Sequence, residues 1–217
     1  MKKILILGAN GRIARIVEHR LLTETDAYLT LVLRNAKRLT LTDLARVNII
    51  EGDVHDSKLL DRVMVDQDII YANLAGDLSA LAQNMINSML KTGLKKLIWI
   101  TGSGLYHETN EPFGTWVEKV VGHAVKEDSR QAAKIIENAA LQYTIIRAAY
   151  MTNDARIDYE LTQKGTTFKG TLISRASVAD LIMKIIANPS HYARTSLGIS
   201  QPGTDKMLPQ IKAWVMK

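Results

Sequence analysis

Short apolar runs alternate with longer amphipathic segments along the first two thirds of the chain. The run at residues 3–7 ends at a glycine, and the segment after it carries apolar residues at helical spacing. The same alternation predicts five more strands, at 28–33, 47–50, 68–72, 96–101 and 143–147, and helices at about 40–46, 56–65, 78–92 and 127–141. Strands separated by helices of this length are joined by right-handed crossovers, and helices then cover both faces of a parallel sheet. The pattern therefore predicts a doubly wound α/β fold.

Beyond residue 150 the alternation loosens. A polar stretch reaches residue 170, and the sequence then predicts a helix at 177–187, a strand at 195–199 and a terminal helix at 205–216. Ser177 and Asp180 have the spacing of a capping box at the start of the first of these helices. Since 217 residues is the length of one α/β domain, we expect a single domain over residues 1–217. Residues 150–217 would contribute a small lobe on the substrate side, over the carboxyl edge of the sheet.

The composition excludes several classes of site. The sequence contains no cysteine, which removes thiol catalysis, cysteine-bound zinc and iron–sulfur clusters. Its five histidines lack metal-ligand spacing, so we expect no catalytic metal. No apolar run approaches the roughly 18 residues of a membrane helix, and the first residues do not resemble a signal peptide. We expect a cytoplasmic protein without a membrane partner.

Basic residues concentrate near the amino terminus. The formal net charge is +6, and residues 1–46 contain nine basic and four acidic residues. This excess fits an anionic partner, either a nucleic acid or a phosphorylated small molecule, and it also fits an ordinary solvated surface. Because no nucleic-acid recognition motif is present, we expect a small-molecule substrate and no nucleic-acid partner.

Small residues mark the turn between the first strand and the first helix. Residues 8–14 read Gly-Ala-Asn-Gly-Arg-Ile-Ala, which has the spacing G-x-x-G-x-x-A. Glycines allow a tight turn and let backbone N–H groups approach a diphosphate, which lies at the positive end of the helix. A purely structural tight turn is the alternative. The position of the turn between a strand and a helix favours a dinucleotide site, with these coenzyme contacts: Gly8, Asn10, Gly11, Arg12 and Ile13.

The end of the second strand selects between NAD(H) and NADP(H). An acidic residue there binds the ribose hydroxyls of NAD, whereas a guanidinium accommodates the 2′-phosphate of NADP. Residues 33–38 read Leu-Arg-Asn-Ala-Lys-Arg, with three bases and no acid. Arg12, just beyond the phosphate turn, would reach the same phosphate. We therefore expect NADP(H) to be preferred over NAD(H) through Arg34, the alternative being that Arg34 is a surface residue at a strand end.

The next two strand ends supply further candidate contacts. Asp53 and Val54 follow the third strand, where an adenine ring would lie, and Asp53 either accepts from the adenine amino group or caps the following helix. Leu74, Ala75 and Gly76 follow the fourth strand, beside the crevice in which open α/β sheets bind ligands. Small residues at that position admit a ligand, and they also suit any tight strand-to-helix turn.

Together these segments resemble the atypical short-chain dehydrogenase/reductases, in particular the NmrA-like NAD(P)H-binding family, which also contains biliverdin and flavin reductases. The resemblance rests on residues 8–14, 33–34, 52–54, 101–104, 141–147 and 173–180. It implies a Rossmann-type fold with the nicotinamide near residues 101–103 and 148–150, which adds Thr101, Gly102 and Ala148 to the coenzyme contacts. Relatives commonly have proline where this chain has Ala148, and the difference loosens the expected loop geometry.

The proton-relay pair of the classical short-chain dehydrogenases is absent. That pair has the form Tyr-x-x-x-Lys, and none of the seven tyrosines here is followed four residues later by lysine. Ser103 and Tyr106, after the fifth strand, are the candidate catalytic residues, since their hydroxyls suit the orientation of a carbonyl or quinone oxygen and Tyr106 is a candidate proton donor. The alternative is that both residues only cap the loop and line its wall.

Two functions follow from this reading. The first is an NADPH-dependent reductase that passes hydride to a small conjugated acceptor, namely a quinone, a flavin or a carbonyl. The second is a non-catalytic NADP(H)-binding redox sensor of the NmrA type, which acts through a protein partner. The missing Tyr-x-x-x-Lys pair favours the sensor, whereas Ser103 and Tyr106 at the crevice favour the reductase.

Overall fold

A computed structural model describes residues 1–39 and 44–208. The strands in these residues are Lys3–Leu7 (β1), Tyr28–Leu33 (β2), Val47–Glu51 (β3), Ile69–Ala72 (β4), Lys96–Gly102 (β5), Gln142–Ala148 (β6), Tyr150–Thr152 (β7), Glu160–Thr162 (β8), Leu172–Ser174 (β9) and Thr195–Ser200 (β10). The helices are Arg12–Glu24 (α1), Ser57–Val63 (α2), Leu78–Thr92 (α3), Phe113–Val121 (α4), His123–Asn138 (α5) and Arg175–Ala187 (α6), with short 3₁₀ turns at Ala36–Arg38 and Pro189–Tyr192.

Eight of these strands form one sheet in the order β3-β2-β1-β4-β5-β6-β10-β8. Neighbouring strands are parallel except β8, which runs antiparallel to β10. The chain leaves β1 toward β2 and β3 and returns on the other side of β1 to form β4. The strand order therefore reverses between β1 and β4, which is where open α/β sheets have their ligand crevice. The predicted fold class is confirmed.

Helices cover both faces of the sheet. Helices α1 and α6 bury their apolar residues with one face, whereas α2, α3 and α5 pack on the other. The central strands are continuous apolar runs because each of their faces lies under a helical layer. Within residues 1–39 and 44–208, no helix has the length and apolar character needed to cross a membrane.

The second half of the chain differs from the expectation. Strands β8 and β10 extend the main sheet instead of forming a separate lobe, while β7 and β9 form a two-stranded sheet of their own. The sequence pattern also missed α4, a short helix between Gly104 and Gly122. Of the helix predicted at 40–46, residues 40–43 lie outside the described residues, and residues 45–46 form a turn. Most of the predicted terminal helix also lies outside the described residues, and residues 205–206 form a turn.

The start of α6 is capped three residues earlier than expected. Ser174 is the N-cap, and its Oγ accepts a hydrogen bond of 2.9 Å from the backbone N–H of Ser177. The predicted capping box from Ser177 to Asp180 is therefore wrong. Asp180 instead accepts from the Tyr159 hydroxyl at 2.9 Å and from Arg20 at 3.2 Å.

One carboxyl group is buried in the core beneath α1. Glu18 is fully buried, and neither of its carboxyl oxygens has a hydrogen-bond partner. Burial raises the pKa of Glu18 from 4.5 to about 8, although the nearby charge of Arg15 opposes the shift. The group is therefore mostly protonated in the folded protein at neutral pH and ionised in the unfolded chain.

We predict that Glu18 makes the protein less stable as pH rises. Because its pKa is raised on folding, its stabilising contribution is complete below pH 4.5 and is lost as pH rises through about 8. Between pH 5.5 and 7.5 the loss amounts to on the order of 3 kcal/mol. Urea unfolding of the wild type and of Glu18→Gln at these two pH values tests this, since glutamine does not titrate. An equal pH dependence in the two proteins would contradict the prediction.

Candidate functional site

The turn between β1 and α1 lies directly against the end of β4. Gly8 has a left-handed backbone with φ of +79°, and a Cβ at this position would lie 2.3 Å from the carbonyl oxygen of Asn73. A Cβ at Gly11 would lie 1.7 Å from Asn73 Nδ2. Both distances are shorter than any van der Waals contact. Gly8 is therefore required by the approach of this turn to the Asn73 backbone, as the spacing of the motif predicts, whereas a side chain at position 11 would first have to displace the Asn73 side chain.

The amino terminus of α1 offers unpaired hydrogen-bond donors. Gly11 occupies the N-cap position and provides no side-chain cap, and the first turn of α1 contains no acidic residue. The first backbone N–H groups of a helix lack internal partners, and they lie at the positive end of the helix dipole. A diphosphate group fits this arrangement, because its oxygens would accept from these donors. The residues present therefore fit a dinucleotide coenzyme.

Two cavities adjoin this turn along the end of β4. The smaller has a volume of about 270 Å³ and the larger about 930 Å³, and both are lined by Asn73, Leu74 and Ala75. The β1–α1 turn and the start of α1 contribute to both cavities. Gly8 and Gly11 line the smaller cavity, and Arg12 and Ile13 line the larger. The arrangement suits an extended ligand whose central part crosses the turn and whose two ends occupy the two cavities.

The smaller cavity brings together most residues predicted for the adenosine end. Its lining includes Gly8, Asn10, Gly11, Arg34, Asp53, Val54, Leu74 and Ala75. Sequence reasoning did not single out Arg38 and His55, which also line it. With its amide oriented to satisfy both groups, Asn10 donates to the carbonyl oxygen of Arg38 and accepts from Arg38 Nε, each at 3.2 Å. Asn10 therefore links the phosphate turn to the basic segment after β2.

Asp53 is not a helix cap. Its carboxylate accepts from the backbone N–H of His55 at 2.9 Å and lies 2.8 Å from His55 Nδ1. The hydrogen bond from the His55 backbone is the main cause that lowers the pKa of Asp53. Asp56 caps α2 instead and accepts from the backbone N–H groups of Lys58 and Leu59. The capping role considered for Asp53 is therefore wrong, and its carboxylate is an ionised acceptor at the wall of the smaller cavity.

Arg12 lies in a different part of the site from Arg34. Its side chain lines the larger cavity and does not contribute to the described lining of the smaller one. The structure therefore does not support the expectation that Arg12 and Arg34 grip the same phosphate. The base that joins Arg34 is Arg38, which reaches the smaller cavity through the 3₁₀ turn after β2.

The larger cavity brings together the residues predicted for the nicotinamide end. Its lining includes Leu74, Ala75, Gly76, Thr101, Gly102, Ser103 and Ala148. Ser103 is buried, and its backbone N–H donates to the carbonyl oxygen of Ala148 at 2.8 Å. This bond continues the pairing of β5 with β6 beyond their ends. Ser103 is therefore held at the floor of the larger cavity.

Lys126 is a site residue that sequence reasoning missed. It lies on α5, lines the larger cavity and donates from Nζ to the carbonyl oxygen of Ser103 at 2.5 Å. Burial is the main cause that lowers the pKa of Lys126, and the charge of Arg130 adds to the effect. The segment reads Gly122-x-x-x-Lys126, so a search that starts from tyrosine does not find it.

Tyr106 points away from the larger cavity. Its hydroxyl donates to Glu137 at 2.6 Å and lies 3.0 Å from Ser196 Oγ. Burial and Glu137 raise the pKa of Tyr106 well above its ordinary value. The described lining of the larger cavity does not include Tyr106, which lies beneath the loop with Arg147 and Lys164 near its ring. We therefore correct the assignment of Tyr106 as a candidate catalytic residue.

A buried ion pair fixes the loop that follows Ser103. Arg147 on β6 is fully buried, and its Nη1 donates to Glu108 Oε1 at 2.5 Å. The Glu108 carboxylate also accepts from the backbone N–H groups of Gly104 and Tyr106. The charge of Arg147 and these backbone hydrogen bonds lower the pKa of Glu108 despite its burial. The Glu108 carboxylate, held by Arg147, therefore fixes the loop at Gly104, Tyr106 and Glu108.

Helix α4 supplies an apolar wall to the larger cavity. The lining contributed by α4 and the start of α5 consists largely of apolar side chains, namely Trp116, Val117, Val120, Val121 and Val125. Trp116 packs edge-on against Tyr150, with ring centroids 5.7 Å apart. The sequence pattern did not predict α4 and therefore did not place this helix beside the crevice. The wall suits an apolar, planar ligand.

Comparisons with known proteins agree with this geometry. A family model described as NAD(P)H-binding matches residues 8–189. A Rossmann-fold NAD(P)-binding family protein from Shigella flexneri has 39% sequence identity and a TM-score of 0.82, with coverage of 94% of this chain and 96% of that one. A short-chain dehydrogenase/reductase from Veillonella parvula in complex with NADP has 29% identity and a TM-score of 0.89, with the same coverage. No curated protein matches the sequence.

The family model covers the glycine turn, the lining of the smaller cavity and most of the lining of the larger one. The resemblance to a family of NAD(P)H-binding proteins is therefore confirmed, and the geometry of the turn fits a coenzyme at this place. The chain belongs to the NAD(P)H-binding family of Rossmann-fold proteins.

Proposed function

We propose that the protein is an NADPH-dependent reductase that transfers hydride to a small conjugated acceptor, namely a quinone, a flavin or a carbonyl. The observation that carries this proposal is the larger cavity, which continues from the coenzyme turn and has an apolar wall. Its volume of about 930 Å³ is large enough for an acceptor ring beside a nicotinamide ring. A protein that only sensed the coenzyme would need room in this cavity for the nicotinamide ring alone, so the additional space and the apolar wall favour the reductase over the NmrA-type regulator.

The reduction requires one hydride and one proton. When bound, the coenzyme supplies hydride from C4 of its nicotinamide, and the acceptor gains the two electrons that the coenzyme loses. The proton that completes the reduction of a quinone comes from solvent. This balance explains how turnover proceeds without a Tyr-x-x-x-Lys pair.

We assign the main polar roles in the larger cavity to Ser103 and Lys126. The Ser103 backbone is fixed between β6 and Lys126, which gives its hydroxyl a defined position from which to orient an acceptor oxygen. The ammonium group of Lys126 is buried at the same wall, and its positive charge stabilises the negative charge that develops on the reduced acceptor. The apolar wall from α4 excludes water from the acceptor face.

We also propose that NADP(H) is preferred over NAD(H). Arg34 and Arg38 are both exposed and line the smaller cavity, where the 2′-phosphate would lie. No acid occupies the end of β2, so nothing there favours the free ribose hydroxyls of NAD. The bound NADP of the Veillonella parvula relative supports the same assignment.

Turnover and its dependence on the larger cavity form the first test. We expect the protein to oxidise NADPH with at least one acceptor from a panel of quinones, flavins and small carbonyls. The reaction is measured as the loss of NADPH absorbance. Ser103→Ala and Lys126→Met should each lower kcat by about 10- to 100-fold, because each removes a polar group at the acceptor. Tyr106→Phe, the control, should leave kcat unchanged because Tyr106 faces Glu137.

Circular dichroism of each variant separates a lost fold from a lost function. Tight NADPH binding without turnover toward any acceptor would instead support the regulator.

Coenzyme preference forms the second test. Arg34→Ala and Arg38→Ala should each weaken NADP⁺ binding by roughly 10-fold, because each removes a charge-assisted hydrogen bond to phosphate, and should leave NAD⁺ binding unchanged. Lys37→Ala is the matched control, since Lys37 is an exposed base of the same segment outside the described lining of the smaller cavity. Calorimetric titration with both coenzymes measures the ratio. An unchanged ratio in both arginine variants would refute the preference.

A further inference from the structure

A third cavity opens beside the larger one and contains three arginines. It has a volume of about 410 Å³ and shares Arg12, Asn153, Asp154 and Arg175 with the lining of the larger cavity. Arg15 lines the third cavity but is absent from the described lining of the other two. We call the third cavity the side chamber, because it opens from the larger cavity. Arginines of α1 and α6 line its two helical walls.

The three arginines come from two packed helices. Arg12 and Arg15 lie one turn apart on α1, and Arg175 is the first residue of α6. Arg175 is 8% exposed, and its Nη1 donates to Asn153 Oδ1 at 2.8 Å, whereas Arg12 and Arg15 are exposed. Since α1 and α6 pack against each other, the positions of these side chains follow from the fold and not from a mobile loop.

No carboxylate neutralises this cluster. Among the described residues, no carboxylate oxygen lies within 4.0 Å of the guanidinium groups of Arg12, Arg15 or Arg175. Asp154 is the acid in the lining of the side chamber, and its carboxylate accepts from the backbone N–H of Arg156 at 3.0 Å. Glu18, beneath Arg15, is mostly protonated at neutral pH, because burial raises its pKa to about 8.

The positions of two of these charges are unfavourable in the free protein. Burial lowers the pKa of the Arg175 guanidinium, and the charge of Arg12 adds to this effect. Arg12 and Arg175 also occupy the first residues of their helices, where the helix dipole disfavours a cation. An anion in the side chamber would relieve both effects.

We propose that Arg12, Arg15 and Arg175 bind an anionic substituent of the acceptor, a carboxylate, phosphate or sulfonate. This inference rests on the proposed reductase function and narrows its substrate class to conjugated rings that carry an acidic group. The ring lies against the apolar wall from α4, and the acidic group lies in the side chamber that continues from the same cavity.

Arg15 separates this assignment from coenzyme binding. The coenzyme diphosphate lies at the amino terminus of α1, and Arg15 is one helical turn further along the helix. The 2′-phosphate region is the smaller cavity, whose described lining contains none of these three arginines. Arg15 is therefore a residue whose loss should affect an anionic acceptor and spare the coenzyme.

The test compares two acceptors that differ by one charge. Protein saturated with NADP⁺, which cannot supply hydride, is titrated in a calorimeter with 1,4-naphthoquinone-2-sulfonate and with neutral 1,4-naphthoquinone. The wild type should bind the sulfonate about 10-fold more tightly than the neutral quinone. Arg175→Gln should remove most of this difference, and Arg15→Gln should reduce it by about 3-fold because Arg15 is more exposed. Arg15→Gln, whose side chain lines only the side chamber, should leave the affinity for neutral quinone and for NADP⁺ unchanged.

Arg62→Gln is the matched control, because Arg62 is an exposed arginine on α2 that lines none of the three cavities. Arg15 is exposed on α1, so its variant keeps the test informative if loss of the buried Arg175 impairs folding.

Each other outcome overturns the proposal in a different way. Equal affinity of the wild type for the two quinones would show that the chamber does not recognise the acceptor's charge, while NADPH turnover would still stand as evidence for the reductase. Weaker NADP⁺ binding by Arg15→Gln would assign the cluster to the coenzyme. Inorganic phosphate that binds more tightly than the sulfonate would assign the chamber to free phosphate. A failure of the wild type to bind NADP⁺ would remove the reductase proposal and this inference together.

Discussion

The contact between the β1–α1 turn and Asn73 determines the arrangement of the rest of the site. Gly8 lets the turn lie against the backbone at the end of β4 at a distance that no side chain permits. Asn73 and the two residues after it then separate the smaller cavity from the larger while lining both. The reversal of strand order between β1 and β4 opens the crevice, and the glycine contact divides it into the smaller cavity and the larger one.

Positive charge is distributed around this division in three places. Arg34 and Arg38 line the smaller cavity, Lys126 lies at the wall of the larger one, and the arginine cluster of α1 and α6 lines the side chamber. The amino-terminal excess of basic residues therefore belongs to ligand cavities as well as to the solvated surface. The sequence pattern alone cannot distinguish these roles, because Arg12 and Arg15 lie next to residues predicted to bind the coenzyme, yet they line the side chamber and not the smaller cavity.

The sequence was most informative where local pattern determines structure. Strands β1 to β6 follow from apolar runs, and the coenzyme turn follows from its glycines, because both depend on residues close together in the chain. Helix α4 and Lys126 were missed because their roles depend on where α4 and α5 pack relative to β5. Tyr106 was misassigned for the same reason: its position after β5 is shared with Ser103, but the loop turns its side chain toward Glu137. The direction of a loop side chain is set by tertiary contacts such as the pair of Glu108 and Arg147.

The pair of Glu108 and Arg147 also limits how members of such a family diversify. Because the loop after Ser103 is anchored to a buried charge, substitutions there disturb folding before they reshape the cavity. The opposite wall is free of this constraint, since Val120, Val121 and Val125 are 48%, 44% and 50% exposed. Changes at exposed positions of this kind alter stability by only about 0.5 kcal/mol. Under the proposed reductase function, evolution or a protein engineer can therefore change the acceptor through substitutions on α4 and in the first turn of α5, while the rest of the molecule stays constant.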